Sequence, residues 1–172
     1  MEIPFLLASQ AGLRLSEICA LTYADITPGD IYICKAMVPS EKGFSLKVPK
    51  SYAGYRHVSC DPTLTDRIRA TQTGDDTQRI INLTHSAISL RWPHILQSLG
   101  IQHFRFHDLR HHYASEGLLL GVPPKYMAEL MGHSSTDMIN RVYQHTFADN
   151  KKQFAQALAD KTAALLKEKQ PD

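Results

Sequence analysis

At 172 residues, 43% hydrophobic and 21% charged, the chain has the size and composition of one globular domain with a real core, not of a disordered or fibrous chain. Nineteen Lys and Arg against 17 Asp and Glu give a formal charge of +2, too mild to mark a nucleic-acid binder by charge alone. No apolar run approaches membrane-spanning length, Phe5-Leu6-Leu7 is too short for a signal-peptide core, and Cys19, Cys34 and Cys60 are widely spaced without a Cys-x-x-Cys pair, so a reducing cytoplasm is the expected compartment.

In chain order, residues 3–21 predict a helical region. Phe5, Leu6, Ala8, Leu13, Leu15, Ile18 and Leu21 supply its apolar faces, Gly12 bends it, and Ser16 is the expected cap where the helix restarts. Cys19 belongs to that apolar run and is expected in the core. Pro28-Gly29-Asp30 signals a turn, and Ile31-Tyr32-Ile33-Cys34 a short strand. Phe44 to Val48 and Tyr55 to Val58 alternate with period two, and Gly54 suits the turn between them. Together these predict a three-stranded antiparallel sheet set between helical segments.

Asp61-Pro62 starts a helix, with proline at an early position where its missing donor costs nothing. A polar loop over 71–77 follows. Residues 86–99 read as a helix closed by Gly100 and kinked or divided at Pro93. Residues 108–120 form a strong helix ending at Gly121, and Pro123-Pro124 begins another that ends near Gly132. Residues 137–143 are a short helix or irregular turn. Residues 150–169 form the last helix, on which Phe154, Leu158 and Leu165 mark an apolar stripe.

The chemistry sits in three distant segments: Gly12-Leu13-Arg14-Leu15-Ser16-Glu17, Phe106-His107-Asp108-Leu109-Arg110-His111-His112-Tyr113, and Met131-Gly132-His133 followed by Val142-Tyr143. Guanidiniums suit phosphate because they stay charged and present a planar fork of donors. A tyrosine hydroxyl attacks phosphorus once its proton is managed and charge on the phosphate oxygens is stabilised. The set therefore reads as a phosphodiester-cleaving site with a covalent tyrosine intermediate. Arg14 and Arg110 are the expected clamp on the phosphate oxygens. Glu17, one turn beyond Arg14, is placed to orient it. His107 opens a helix, where free backbone donors also favour phosphate.

These boxes, in this order, resemble the catalytic signature of the tyrosine recombinases, the phage integrase family, over residues 5–166. Arg14 stands where the family has its first arginine. His107 and Arg110 match its His-x-x-Arg box, His133 its Leu-Gly-His box, and Tyr143 its nucleophile. Lys50, in Lys50-Ser51-Tyr52-Ala53-Gly54-Tyr55-Arg56, matches its hairpin lysine and is favoured over Lys42 and Lys47. The interval from His133 to Tyr143 is one residue longer than the usual family interval.

The resemblance implies a mainly α fold with a small antiparallel β-sheet, the tyrosine recombinase catalytic domain. It implies site-specific recombination through a 3′-phosphotyrosine, in which Lys50 is the general acid for the departing 5′-oxygen, His107 helps manage the tyrosine proton and His133 hydrogen-bonds the phosphate. No cofactor and no metal are expected. The expected partners are double-stranded DNA, further recombinase protomers forming a tetramer on DNA, and accessory DNA-bending proteins. Residues 1–172 are expected to be a single catalytic domain lacking N-terminal DNA-binding domains, and the enzyme cytoplasmic, on the bacterial nucleoid when bound to DNA.

Three other readings compete. Within the same chemistry stands a type IB topoisomerase, which relaxes DNA without exchanging strands. Outside it stands a catalytically inactive DNA-binding remnant of an integrase. From another class, His107 and His111 at i, i+4 resemble half of a zinc protease motif, but no further ligand motif follows and the arginine boxes would be left without a role.

Overall fold

The computed structural model describes residues 1–41, 43–49, 54–133, 135–147, 155–156 and 159–161. The described residues are mainly helical, with two small antiparallel sheets. No helix among them is long and apolar enough to cross a membrane.

The first helical region divides as its glycine predicts, into α1 (Glu2–Gln10) and α2 (Leu15–Ile18). The cap differs from expectation. Arg14 takes the cap position, and the Glu17 carboxylate accepts the Arg14 backbone N–H at 2.8 Å, so Ser16 lies inside the helix. An acidic residue at the third position satisfies the open N–H better than a serine already past it.

The sheet pairing also differs. Strands β1 (Ile26–Thr27), β2 (Asp30–Ile33) and β5 (Arg56–Ser59) form the three-stranded sheet in the order β1-β2-β5. Strand β4 (Gly43–Lys47) pairs instead with β3 (Ala36–Ser40) in a second sheet, with Met37 opposite Leu46. The predicted hairpin between 44–48 and 55–58 is therefore corrected to two separate pairings. Pro39 hid β3: a proline usually demotes a strand, but it is tolerated in a two-stranded ribbon where both strands are edges.

Register in the larger sheet fixes the site. Ile31 and Ile33 of β2 point inward, and Arg56 and Val58 face the same way from β5, with Arg56 opposite Ile33. A charged residue thus stands where strand alternation demands a buried one.

The remaining helices follow the sequence signals. Asp61 caps α3 (Pro62–Arg69) by accepting the Thr63 N–H at 2.8 Å. Helix α4 (His85–Ser98) continues through Pro93, so the proline does not divide it. The carbonyl that Pro93 leaves without a helical donor is that of Ser89, an exposed residue that water can serve. Helices α5 (Asp108–Leu119), α6 (Pro124–Leu130) and α7 (Asp137–Phe147) complete the domain, and α7 packs on α5 and α6. Of the last predicted helix, residues 155–156 and 159–161 are helical, while Phe154, Leu158 and Leu165 lie outside the described residues.

The buried apolar side chains form two clusters. The larger joins α1, α2, the three-stranded sheet, α3 and α4, and Cys19 lies fully buried in it. The smaller consists of Ala114, Leu118, Met127, Ala128, Met131 and Ile139, from α5, α6 and α7. Helix α5 passes from one to the other, with Leu109 in the first and Ala114 in the second. Arg110 stands between them.

Candidate functional site

The site begins with a glycine. Gly12 has φ 63°, a left-handed conformation that ends α1, and a Cβ there would lie 2.4 Å from a ring carbon of Tyr113. The turn drops Leu13 into the core and leaves Arg14 half-buried at the head of α2.

The other side is built at the end of α6. Gly132, with φ 65°, closes this helix in the usual glycine manner: its N–H bonds the Glu129 carbonyl and the His133 N–H bonds that of Ala128, both at 2.9 Å. The next three carbonyls, of Leu130, Met131 and Gly132, have no helical donor. Each receives an arginine. Arg56 Nε donates to Leu130 at 2.9 Å, Arg110 Nη2 to Met131 at 2.5 Å, and Arg14 Nη2 to Gly132 at 2.8 Å. Cations suit the negative end of a helix dipole, and three on one end collect the site.

Arg110 is the most enclosed of them, at 1% exposure. It also donates from Nη1 to the Gly12 carbonyl and from Nη2 to His133 Nε2, the latter at 2.8 Å. Burial first, then the charge of Arg14, push its guanidinium down to about 9, so it remains a cation at neutral pH.

Glu17 balances part of this charge. Arg56 grips it with a two-pronged contact, Nη1 to Oε1 and Nη2 to Oε2, each at 3.0 Å, and Arg14 Nη1 reaches Oε1 at 2.8 Å. Burial alone would raise the Glu17 pKa, but the hydrogen bonds and charges of Arg56 and Arg14 hold it down to about 2. Glu17→Ala leaves Arg56 as an uncompensated buried cation and is expected to cost about 3–5 kcal/mol in denaturant unfolding. Because the folded value lies below the ordinary 4.5, the stability that Glu17 supplies is complete above about pH 4.5 and is lost as the pH falls toward 2. Unfolding curves across that window should show the acid loss in the parental chain and a weaker one in Glu17→Gln.

His133 is half-buried. Burial first, then Arg110, Arg14 and Arg56, push its imidazole down to about 4, so it is neutral at pH 7. Nε2 accepts from Arg110, which leaves the proton on Nδ1, a buried atom with no partner among the described residues. That N–H stands beside the charges of Arg110, Arg14 and Arg56, a grouping of donors suited to an anion oxygen.

His107 stands outside that network. Trp92 fixes its approach: the indole donates to the Phe104 carbonyl at 3.0 Å, and Phe104 and Phe106 pack edge-on against its ring. Asp108 accepts the Arg105 N–H at 2.9 Å, and His107 caps α5 in an exposed position. Its pKa is lowered by burial of part of the ring, then by His111 and Arg110. His107 lines a cavity of about 430 Å³ together with Arg14, Ser16, His85, His103 and Arg105. A second cavity, of about 440 Å³, has Arg14, Glu17, Lys35, Lys47, Pro49 and Gly132 in its wall. Arg14 thus borders both clefts.

The structure therefore brings Arg14, Glu17, Arg110 and His133 into one hydrogen-bonded cluster, and His107 shares with Arg14 the wall of the first cavity. Tyr143 lies on α7, six residues after its start at Asp137. Lys50 and Lys42 lie outside the described residues, whereas Lys47 lines the second cleft. The His107 and His111 rings stand 4.9 Å apart, and no group of three or more potential metal ligands occurs among the described residues. Arg56 was not singled out from sequence. The signal available was its place at the end of the Lys50 box, combined with a strand register that turns it inward.

Comparison with known proteins places the chain in a family. The profile of the Phage integrase family matches residues 2–150. Tyrosine recombinase XerC of Bacillus pumilus is 27% identical over 149 residues, covering 81% of this chain and 47% of that protein. An integrase of Saccharopolyspora erythraea is 46% identical over 54 residues, 31% of this chain and 12% of that protein. The chain thus spans less than half the length of the curated relatives it matches. Among solved structures, the Tn1549 transposon integrase in complex with circular intermediate DNA superposes with a TM-score of 0.71 at 21% identity, over 91% of this chain and 58% of that one. The catalytic domain of bacteriophage HP1 integrase superposes with a TM-score of 0.55 at 21% identity, over 84% and 73%. The fold is that of tyrosine recombinase catalytic domains.

Proposed function

The chain belongs to the phage integrase family, and from that membership we propose that it is the catalytic domain of an enzyme that cleaves and rejoins double-stranded DNA at a specific site. One observation carries the reading. Arg14, Arg110 and His133 come from distant segments, with Arg14 reaching across 118 positions to Gly132, yet they meet in one cationic cluster. Such a cluster needs an anion, and a phosphodiester is the anion that two guanidiniums and a neutral N–H donor serve together.

In the proposed reaction the Tyr143 oxygen attacks the scissile phosphorus, forming a 3′-phosphotyrosine and releasing the 5′-oxygen, which takes its proton from Lys50. Arg14 and Arg110 stabilise the charge that grows on the non-bridging oxygens, and the His133 Nδ1–H donates to one of them. His107 helps to manage the tyrosine proton. A 5′-hydroxyl from a partner strand then attacks the phosphotyrosine, restoring the diester and the tyrosine. Exchange between strands requires several protomers, so a tetramer on DNA, aided by DNA-bending proteins, is part of the same proposal.

The test is capture on a nicked suicide duplex, from which the 5′-hydroxyl fragment diffuses away. A denaturation-resistant protein–DNA adduct is expected, and it should form equally well in EDTA. Binding should weaken steeply with salt as phosphate contacts release counterions. No adduct on any cognate-element duplex, or an adduct lost in EDTA and restored by a divalent metal, would overturn the reading.

A further inference from the structure

Arg56 touches both sides of the site without lying at its mouth. Its side chain and that of Glu17 are each 6% exposed, whereas that of Arg14 is 32% exposed. The buried ion pair is therefore Arg56–Glu17, and Arg14 is the outer partner. The same guanidinium holds the Leu130 carbonyl, three residues before His133. Arg56 thus fixes two of the Arg14 anchors at once: the carboxylate that Arg14 leans on and the α6 end that carries the Gly132 carbonyl.

Charge makes this more than scaffolding. A carboxylate facing Arg14 alone would cancel the charge that a bound phosphate requires. With Arg56 across both carboxylate oxygens, Glu17 is neutralised and still holds Arg14 Nη1. We propose that Arg56 is a positioning residue for the cleavage reaction: it engages Glu17 and the Leu130 carbonyl so that Arg14 keeps both its place and its net positive charge for the substrate phosphate. The inference rests on the recombination reading for its consequence, but not for the geometry.

The test compares Arg56→Gln, Arg56→Lys and the double variant Glu17→Gln/Arg56→Gln in single-turnover adduct formation at saturating nicked DNA. Arg56→Gln leaves the Glu17 carboxylate to Arg14 alone, so cleavage should slow by about tenfold or more, with half-saturating DNA changed less than about threefold. Removing the Glu17 charge as well should recover about threefold or more of that loss, a sign reversal that a purely structural role does not produce. Arg56→Lys keeps the charge and guards against failure to fold, but one ammonium cannot hold both oxygens and the carbonyl, so it should cleave about threefold to thirtyfold slower.

Cleavage at the parental rate by folded Arg56→Lys or Arg56→Gln, or no recovery in the double variant, overturns the proposal. A second readout stands apart from catalysis. In the DNA-free chain, the arginine side-chain NMR resonance of Arg14 Nε should move in whichever Arg56 variant folds. An unmoved resonance overturns the positioning role. If the parental chain forms no adduct while this resonance moves, the recombination reading fails and the positioning role stands.

Discussion

Tyr143→Phe is expected to abolish covalent capture of DNA, with a loss of about a thousandfold or more, because it removes the only atom that can join phosphorus from that position. Folding and DNA affinity should stay near parental. Tyr143 lies within the helix Asp137–Phe147, whose Ile139 is fully buried in the smaller core, so the backbone beneath it is anchored independently of the hydroxyl. Two other tyrosines lie nearby in sequence. Tyr113 packs against Gly12 and its phenol is pushed up by burial, while Tyr126 is 58% exposed on α6. A raised phenol is a poorer nucleophile at neutral pH because less of it ionises. Adduct of normal yield in Tyr143→Phe, traced by peptide mass to Tyr113 or Tyr126, would remove Tyr143 from the mechanism.

The second large effect separates the two clamp arginines. Arg14→Ala and Arg110→Ala should each slow cleavage by about a hundredfold or more, since each removes charge stabilisation from the transition state. Their stabilities should diverge. Arg110 is enclosed, and its loss strands the Gly12 and Met131 carbonyls at about 1–3 kcal/mol each, besides leaving a cavity. Arg14 is more open, and water can replace much of what it gives. Arg110→Ala should therefore melt well below Arg14→Ala in thermal unfolding. Cleavage by both variants within a few-fold of parental would dismiss the clamp, and equal melting would dismiss the difference in burial.

What was legible in the sequence was local or carried by spaced boxes. Asp61-Pro62 announced α3, and Gly100, Gly121 and Gly132 announced three helix ends, because a cap or a left-handed residue acts over a few positions. The boxes around Arg14, His107, Arg110 and His133 could be picked out by their flanking residues and order, and the structure brings Arg14, Arg110 and His133 together, while their catalytic roles belong to the proposal. The strand partners were not. Alternation says which side chains face inward, but not which neighbour a strand will take, and Pro39 concealed β3 altogether. Arg56 escaped for a related reason. Its partners Glu17 and Leu130 lie 39 and 74 positions away, and nothing at position 56 names them. The weight of Glu17 was equally hidden, since a helix-surface glutamate and a shared buried carboxylate have the same letter and the same i, i+3 spacing.

The arrangement of the two cores has a consequence for the proposed chemistry. The α7 helix rests on the smaller cluster, and that cluster is cross-linked to the larger one through Arg110, which joins the Gly12 carbonyl to that of Met131. Arg110, proposed above to hold the substrate phosphate, is also the group that ties the Gly12 and Met131 backbones together. On the proposed reading, a chain that opens along this boundary would lose its phosphate clamp in the same event that displaces α7 and the Tyr143 it carries. Partial unfolding would then leave the proposed enzyme inactive rather than able to nick DNA unselectively.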